Sequence, residues 1–343
     1  MLADLSTVWL FLAFAAAGAV ILVVSIRMTA LADVIADRAG WGEAIVGGVV
    51  LGAATSLSGL VVSVSSAWTG DASLAFSNGV GGIAAQTAFL AVADLTYRKV
   101  NLEHAAAEVA NIFQGITLVT LLTLPLVAWS APPVTVLGLH PVSALMVATY
   151  AYALKLTAEV RARPMWTPVQ TEDTRADEPE DASEADRSPW GPALAFAGLA
   201  VLLAASGWVV AQATSETIAR FGISSTLGGA LMSAVVTSLP ELVTTIAAVR
   251  RGALQLAVGG IIGGNTFDTL FLAASDGAYR EGSLFHALQD GDFFWLSVGI
   301  LMTAVLLAGQ VRREKRGPAG IGFESVALVA IYGGAVAWQA ISG

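Results

Sequence analysis

The chain has 343 residues, of which 56% are hydrophobic and 13% charged, against roughly 45–50% and 25% in an ordinary soluble domain. That balance argues against a cytosolic enzyme. The formal net charge of −9 does not describe an acidic surface, because eight of the 26 acids fall between Glu172 and Asp186. The absence of cysteine excludes disulfides, thiolate metal sites and cysteine nucleophiles.

Apolar stretches of about 20 residues, each long enough to cross a bilayer as a helix, recur along the whole chain. In order they predict spans at 7–27, 43–68, 72–96, 105–129, 134–157, 191–214, 223–249, 253–276, 293–311 and 322–341. No basic residue precedes the first run, Val8 to Ile26, so it is expected to be a retained span and not a cleaved leader. The expected fold is an all-α membrane protein of ten transmembrane helices, divided into halves at 1–160 and 191–343. Between them, 161–190 contains TEDTRADEPEDASEAD, whose acids, Pro and Ser predict a solvated and largely disordered linker. Its acids lack the spacing of an EF-hand loop.

Basic residues orient the chain, because short cytoplasmic loops collect Lys and Arg. One side of the ten-span arrangement holds fifteen of them and the other only Arg220 and Arg280. This predicts both termini outside, the linker in the cytoplasm, and residence in the plasma membrane. Trp9, Trp41, Trp68, Trp129, Trp190, Trp295 and Trp338 fall near predicted span ends, as an interfacial belt requires.

Offset by 182 residues, 47–98 aligns with 229–280 without a gap and with 18 identities in 52 positions. The matches include Thr55/Thr237, Ser56/Ser238, Gly70/Gly252, Thr87/Thr269 and Asp94/Asp276. Five predicted spans separate each helix from its counterpart, so the repeats are expected to be inverted. Inverted repeats organise many secondary transporters, with the substrate near the midplane.

Most acids fall at predicted span ends or in loops, but two stand well inside spans, Glu241 in TSLPEL and Asp268 in GGNTFDTLFLAA. An ionisable group at membrane depth is costly and marks function by default. A buried structural pair would need a basic partner, and no Lys or Arg occurs at that depth in the sequence. Thr237 and Ser238 precede Glu241 by four and three residues and share its helix face. Pro240 removes a helical hydrogen bond and frees carbonyls near 236 and 237. Carboxylates, hydroxyls, the Asn265 amide and carbonyls make an all-oxygen environment suited to hard cations. The pairs Gly81–Gly82, Gly259–Gly260 and Gly263–Gly264 are expected to bring helices close together.

At these residues the sequence resembles the calcium/cation antiporters, typified by sodium/calcium exchangers. VTSLPELVTT and GGIIGGNTFD resemble the two alpha-repeat motifs of that family, with Glu241 and Asp268 separated by 27 residues. The first repeat reads ATSLSGLVVS, so Gly59 stands where Glu241 has its counterpart, and Gln86 matches Asp268. Gly82 and Gly264 replace two expected serines. The resemblance implies a site of Thr55, Ser56, Gln86, Thr237, Ser238, Glu241 and Asp268. It further implies exchange of Ca²⁺ for Na⁺ or H⁺ by alternating access, with inorganic cations and the bilayer as partners. Neither a permanently bound cofactor nor nucleic acid is expected, and no protein partner can be inferred. A monovalent cation or proton exchanger, or a regulatory paralogue that does not transport, are the alternatives. No nucleotide-binding motif appears, which disfavours a pump.

The remaining polar residues read as follows. His104, His140 and His286 are expected at the surface, Asp94 and Asp276 in interfacial hydrogen bonds, and Glu324 as an interfacial group. Glu108, Asn111 and Gln114, at helical spacing, either line an access path or mark a hydrated helix end.

Overall fold

The computed structural model describes residues 2–39, 52–97, 99–174, 190–317 and 321–342. It is nearly all helical. The elements are α1 (Thr7–Ala39), α2 (Gly52–Trp68), α3 (Ala72–Thr96), α4 (Leu102–Ala105), α5 (Val109–Ser130), α6 (Pro141–Ala162) and α7 (Trp190–Phe221). Then follow α8 (Ser225–Leu227), a π-helical turn (Gly228–Ser233), α9 (Ala234–Thr237), α10 (Leu239–Arg251), α11 (Leu254–Ala278), α12 (Asp290–Arg312) and α13 (Phe323–Ser342), with a 3-10 turn at Leu284–His286. Among the described residues seven helices are long and apolar enough to cross a membrane, or eight if the stretch broken between Thr237 and Leu239 is one span. The chain is thus a multi-pass membrane protein. Trp41 and most of the acidic run lie outside the described residues.

Helix α1 runs on to Ala39 and α7 to Phe221, past the expected span ends at 27 and 214, and two starts differ from expectation for local reasons. The span expected from 105 starts at Val109, because α4 forms a separate turn capped by the Asn101 side chain. The span expected from 134 starts at Pro141, after a tight turn closed by Val136 and Leu139 with Leu137 and Gly138 at positive φ. The linker also begins differently. Val169–Thr174 is fastened to the bundle, since Arg313 donates to the Val169 carbonyl and Lys315 pairs with Asp173 at 2.5 Å.

Helices α3 and α11 run through the centre of the bundle, and α1 and α7 pack on each other at its side. Gly, Ser and Asn dilute the apolar surface of α3, which fits a helix surrounded by protein instead of lipid. Gly81 abuts the π-helical turn, where a Cβ would come 2.5 Å from Ala230 Cα, and Gly229 abuts Ser77. Gly260 breaks the expectation for the glycine pairs: it is exposed, with nothing within 4 Å of a Cβ built there. Trp295 is likewise no interfacial residue. It is fully buried on the inward face of α12, edge-on to Tyr332, whereas Trp9, Trp68, Trp129, Trp190 and Trp338 are exposed.

Hydrogen bonds recur at the offset of 182 residues seen in the sequence. After α2, Gly70 at φ +89° donates to Ala67 and Asp71 to Ser66; after α10, Gly252 at φ +86° donates to Val249 and Ala253 to Ala248. Glycine adopts this left-handed helix end without strain. Asp94 accepts from Leu102 N, Gly322 N and Ser325 Oγ; Asp276 accepts from Leu284 N, His140 N and Ser143 Oγ. His104 bonds the Arg313 carbonyl, and His286 that of Ala131. Each partner in the first set is 182 residues from its equivalent in the second. These histidines are not surface groups: His104 and His140 are buried and His286 half-buried, because the loops fold back over the helix ends.

Candidate functional site

The α9–α10 break places the first acid. Pro240 has no N–H to donate back along the helix. The helix ends at Thr237, turns through Ser238 (φ −95°, ψ 0°) and resumes bent by 42°. Glu241 therefore lies in the first turn of α10, where the N-terminal dipole favours an anion. The corresponding stretch of α2, with Ser58–Gly59 in place of Pro–Glu, is continuous from Gly52 to Trp68. Asp268 comes from the middle of α11, facing α3.

All seven expected site residues are buried. Glu241 Oε1 accepts from Ser56 Oγ at 3.4 Å, and Thr55 also hydrogen-bonds this carboxylate while Ser56 reaches Asp268. Gln86 Nε2 donates to Asp268 Oδ2 at 2.7 Å and to Ser238 Oγ at 3.2 Å. Gln86 and Asp268 are themselves 182 residues apart, so the two equivalent positions meet face to face. Thr237 spends its proton on its own helix, donating to the Ser233 carbonyl at 2.9 Å, which leaves its oxygen lone pairs for other partners.

Among the described residues, four oxygens remain without a hydrogen-bond donor: Glu241 Oε2, Asp268 Oδ1, Gln86 Oε1 and Asn265 Oδ1. The two carboxylates are close enough to repel one another. Unsatisfied anionic oxygens in so enclosed a place are expensive. A hard cation or a proton supplies what they lack. Among the described residues no group of three or more His, Asp or Glu side chains converges as a metal cage.

The missing acid has a structural counterpart. A Cβ on Gly59 would lie 2.9 Å from Phe271 Cε2 and 3.5 Å from Thr237 Oγ1, so the Phe271 ring occupies the place a longer side chain would need. Gly82 and Gly264 border the site, with Cβ positions 3.4 Å from Ser238 Oγ and 3.6 Å from Gln86 Oε1. Gln114 lines a cavity of about 10 Å³ with Thr117, Tyr150, Thr157 and Thr266, room for about one water. Asn111 is buried against the Gln255 carbonyl, and Glu108 pairs with Arg161 at 2.9 Å. Glu324 is fully buried, contrary to expectation, because Gly309 on α12 leaves room for it. Sequence reasoning passed over Glu103 and Asp292, which are also buried; both flank apolar spans and look like ordinary loop acids.

Over 121 residues, 35% of this chain and 34% of the relative, it is 32% identical to the inner membrane protein YrbG of Escherichia coli (strain K12). The aligned part is thus about a third of that relative's length. The fold is similar to that of the H⁺/Ca²⁺ exchanger CAX, at TM-score 0.65 and 16% identity over 97% of this chain and 86% of the other. It is similar also to the sodium–calcium exchanger NCX_Mj, at TM-score 0.61 and 15% identity over 96% and 99%. The family model described as "Sodium/calcium exchanger protein" matches residues 9–157 and 190–341. As the match spans most of the chain, the chain belongs to the sodium/calcium exchanger family of membrane antiporters, within the calcium/cation antiporter superfamily.

Proposed function

We propose that this protein is a secondary-active antiporter that exchanges Ca²⁺ for Na⁺ or H⁺ across the plasma membrane by alternating access. The observation that carries the reading is the pair Glu241 and Asp268. They lie on separate helices, both are buried, and each keeps one carboxylate oxygen without a donor. Ser56, Thr55, Ser238, Thr237 and Gln86 complete an oxygen-rich wall. Ca²⁺ is held by such oxygen ligands. Two carboxylates neutralise one Ca²⁺, two Na⁺ or two protons, so exchange is close to electroneutral.

The architecture proposed for this activity is ten spans in two inverted halves, 1–160 and 191–343, with repeats at 47–98 and 229–280. Its supports are the equivalent helix ends at Gly70 and Gly252, the equivalent Asp94 and Asp276 networks, and the meeting of Gln86 with Asp268. Both termini face outward and the acidic linker lies in the cytoplasm, following the basic residues.

The test is ⁴⁵Ca²⁺ uptake into everted vesicles under imposed Na⁺ or pH gradients. Glu241→Gln and Asp268→Asn should each abolish uptake, and an imposed membrane potential should leave the wild-type rate unchanged. Uptake that survives either substitution would reject the site.

A second reading, exchange of monovalent cations or protons without Ca²⁺, is favoured by one contact. Gln86 already donates an amide proton to Asp268, which takes up part of the charge a divalent ion would use. Gradient-driven Na⁺ or H⁺ flux without ⁴⁵Ca²⁺ movement would select it.

A further inference from the structure

The two Asp networks share every hydrogen bond just described but differ in what surrounds them. Beside Asp276 sit Phe285 and Val142, both buried in the apolar core. At the equivalent positions beside Asp94 stand Glu103 and Glu324, 1% and 0% exposed. The same framework is therefore built once around a hydrocarbon pair and once around two acids, so the acids are not required by the fold.

Their hydrogen bonding is incomplete. Glu324 Oε1 accepts from Asn101 Nδ2 at 2.5 Å, while Glu324 Oε2 and both carboxylate oxygens of Glu103 have no donor among the described residues. The Glu103 and Glu324 carboxyls are close enough to hydrogen-bond each other, which two carboxylates can do only through a proton held between them. Among the described residues, neighbouring charges do not substitute for it. Asp94 faces the pair from α3 with the same sign. In the α12–α13 connection Arg312 pairs with Glu314, Arg313 is bonded to the His104 and Val169 carbonyls, and Lys315 pairs with Asp173. On α4 itself, His104 is bonded to the Arg313 carbonyl and Thr171. From α11, Gln255 reaches the Ala107 carbonyl.

We propose that Glu103 and Glu324 form a proton-binding site, apart from Glu241 and Asp268, that fastens the α3–α4 connection to the α12–α13 connection and lets go when the proton is lost. The proton comes from solvent water and returns to it, and the O–H bond it makes to one carboxyl oxygen is what forms and breaks. On loss, two adjacent carboxylates beside Asp94 repel in a dry setting. The segments they join, Val100–Ala105 and Arg313–Ser325, also hold the start of the linker through Arg313, Lys315 and His104. Burial, then the charges of Glu324 and Asp94, push the Glu103 carboxyl well above its ordinary value. The folded protein thus holds this proton more tightly than the unfolded chain does. The contribution of the protonated Glu103 to stability is full below the ordinary Glu range and is lost as pH rises through its folded value.

Because the chain has no cysteine, spin labels can be placed at Lys99→Cys and Arg316→Cys on the intact protein without background. Electron–electron distance measurements across a pH series should give a narrow distribution in acid that broadens and lengthens as the medium turns alkaline. In Glu103→Gln/Glu324→Gln the distribution should stay narrow at every pH. Glu103→Phe/Glu324→Val, which copies the Phe285/Val142 pair, should behave alike if the first variant does not fold. A wild-type distribution indifferent to pH, or a pH response retained in a folded variant, would overturn the proposal. Both outcomes are independent of whether, and which, ions are transported.

Discussion

At the scale of single residues, Gly59 and Phe271 set the charge of the site. A carboxylate introduced at Gly59 has nowhere to go while the Phe271 ring lies 2.9 Å from its first carbon. Gly59→Glu alone should therefore lower stability by about 1–3 kcal/mol, the usual cost of overpacking, measured by denaturant titration in detergent. Gly59→Glu with Phe271→Ala should relieve the clash and add a third negative charge to the ion path. Reconstituted flux should then follow an imposed membrane potential where the wild type does not. Flux insensitive to potential in a folded, active double variant would show that the acid does not reach the ion. The acids at membrane depth were legible from sequence because an isolated charge in an apolar run has no bland explanation. Phe271 was not, since a ring in a hydrophobic helix gives no sign of standing in for a ligand.

Between elements, the same residue type in equivalent places should behave differently. Asp94 and Asp276 each tie a following loop and a distant helix start through three hydrogen bonds. Replacing either by Asn turns an acceptor into a donor facing a buried donor, which costs about 1–3 kcal/mol. At Asp94 the change also removes a negative charge beside Glu103 and Glu324, offsetting part of that cost. Beside Asp276 there is only Phe285 and Val142 to benefit. Asp276→Asn should thus destabilise more than Asp94→Asn in the same denaturant assay, and an equal or reversed order would contradict this account. The sequence showed these aspartates as a matched pair with Tyr–Arg neighbours, but not their partners. The partners at 140, 143, 322 and 325 lie past the stretch in which identities accumulate, and register there is visible only as geometry. The burial of Trp295 and Glu324 was hidden for a related reason. Helices that are apolar all round give little indication of which side faces protein and which faces lipid.

For the molecule as a whole, the apolar spans, the multi-pass character and the family were legible from composition and from the TSLPE and GGNTFD stretches. The docking of Val169–Thr174 was not, because a polar segment carries no pattern that names its anchor. The contact of α1 and α7 with the rest of the bundle has a mechanical consequence. Gly207 of α7 lies against the Ser58 backbone, where a Cβ would approach to 2.6 Å, and Gly18 of α1 lies against Val236 at 2.8 Å. At these two points glycine brings no side chain of its own to interlock, although Ile21, Val24, Met28, Leu203 and Val210 pack around Val62 elsewhere on the seam, whereas α3, α6 and α13 are pinned by the aspartates. Where the backbones meet at glycine fewer side chains must repack, so the joined pair α1–α7 is expected to act as the bearing that travels while the pinned helices stay as the frame. Gly207→Val would roughen the bearing without touching an ion ligand. It should slow turnover severalfold while leaving the ion concentration for half-maximal binding unchanged, and a variant with normal turnover would place the moving surface elsewhere.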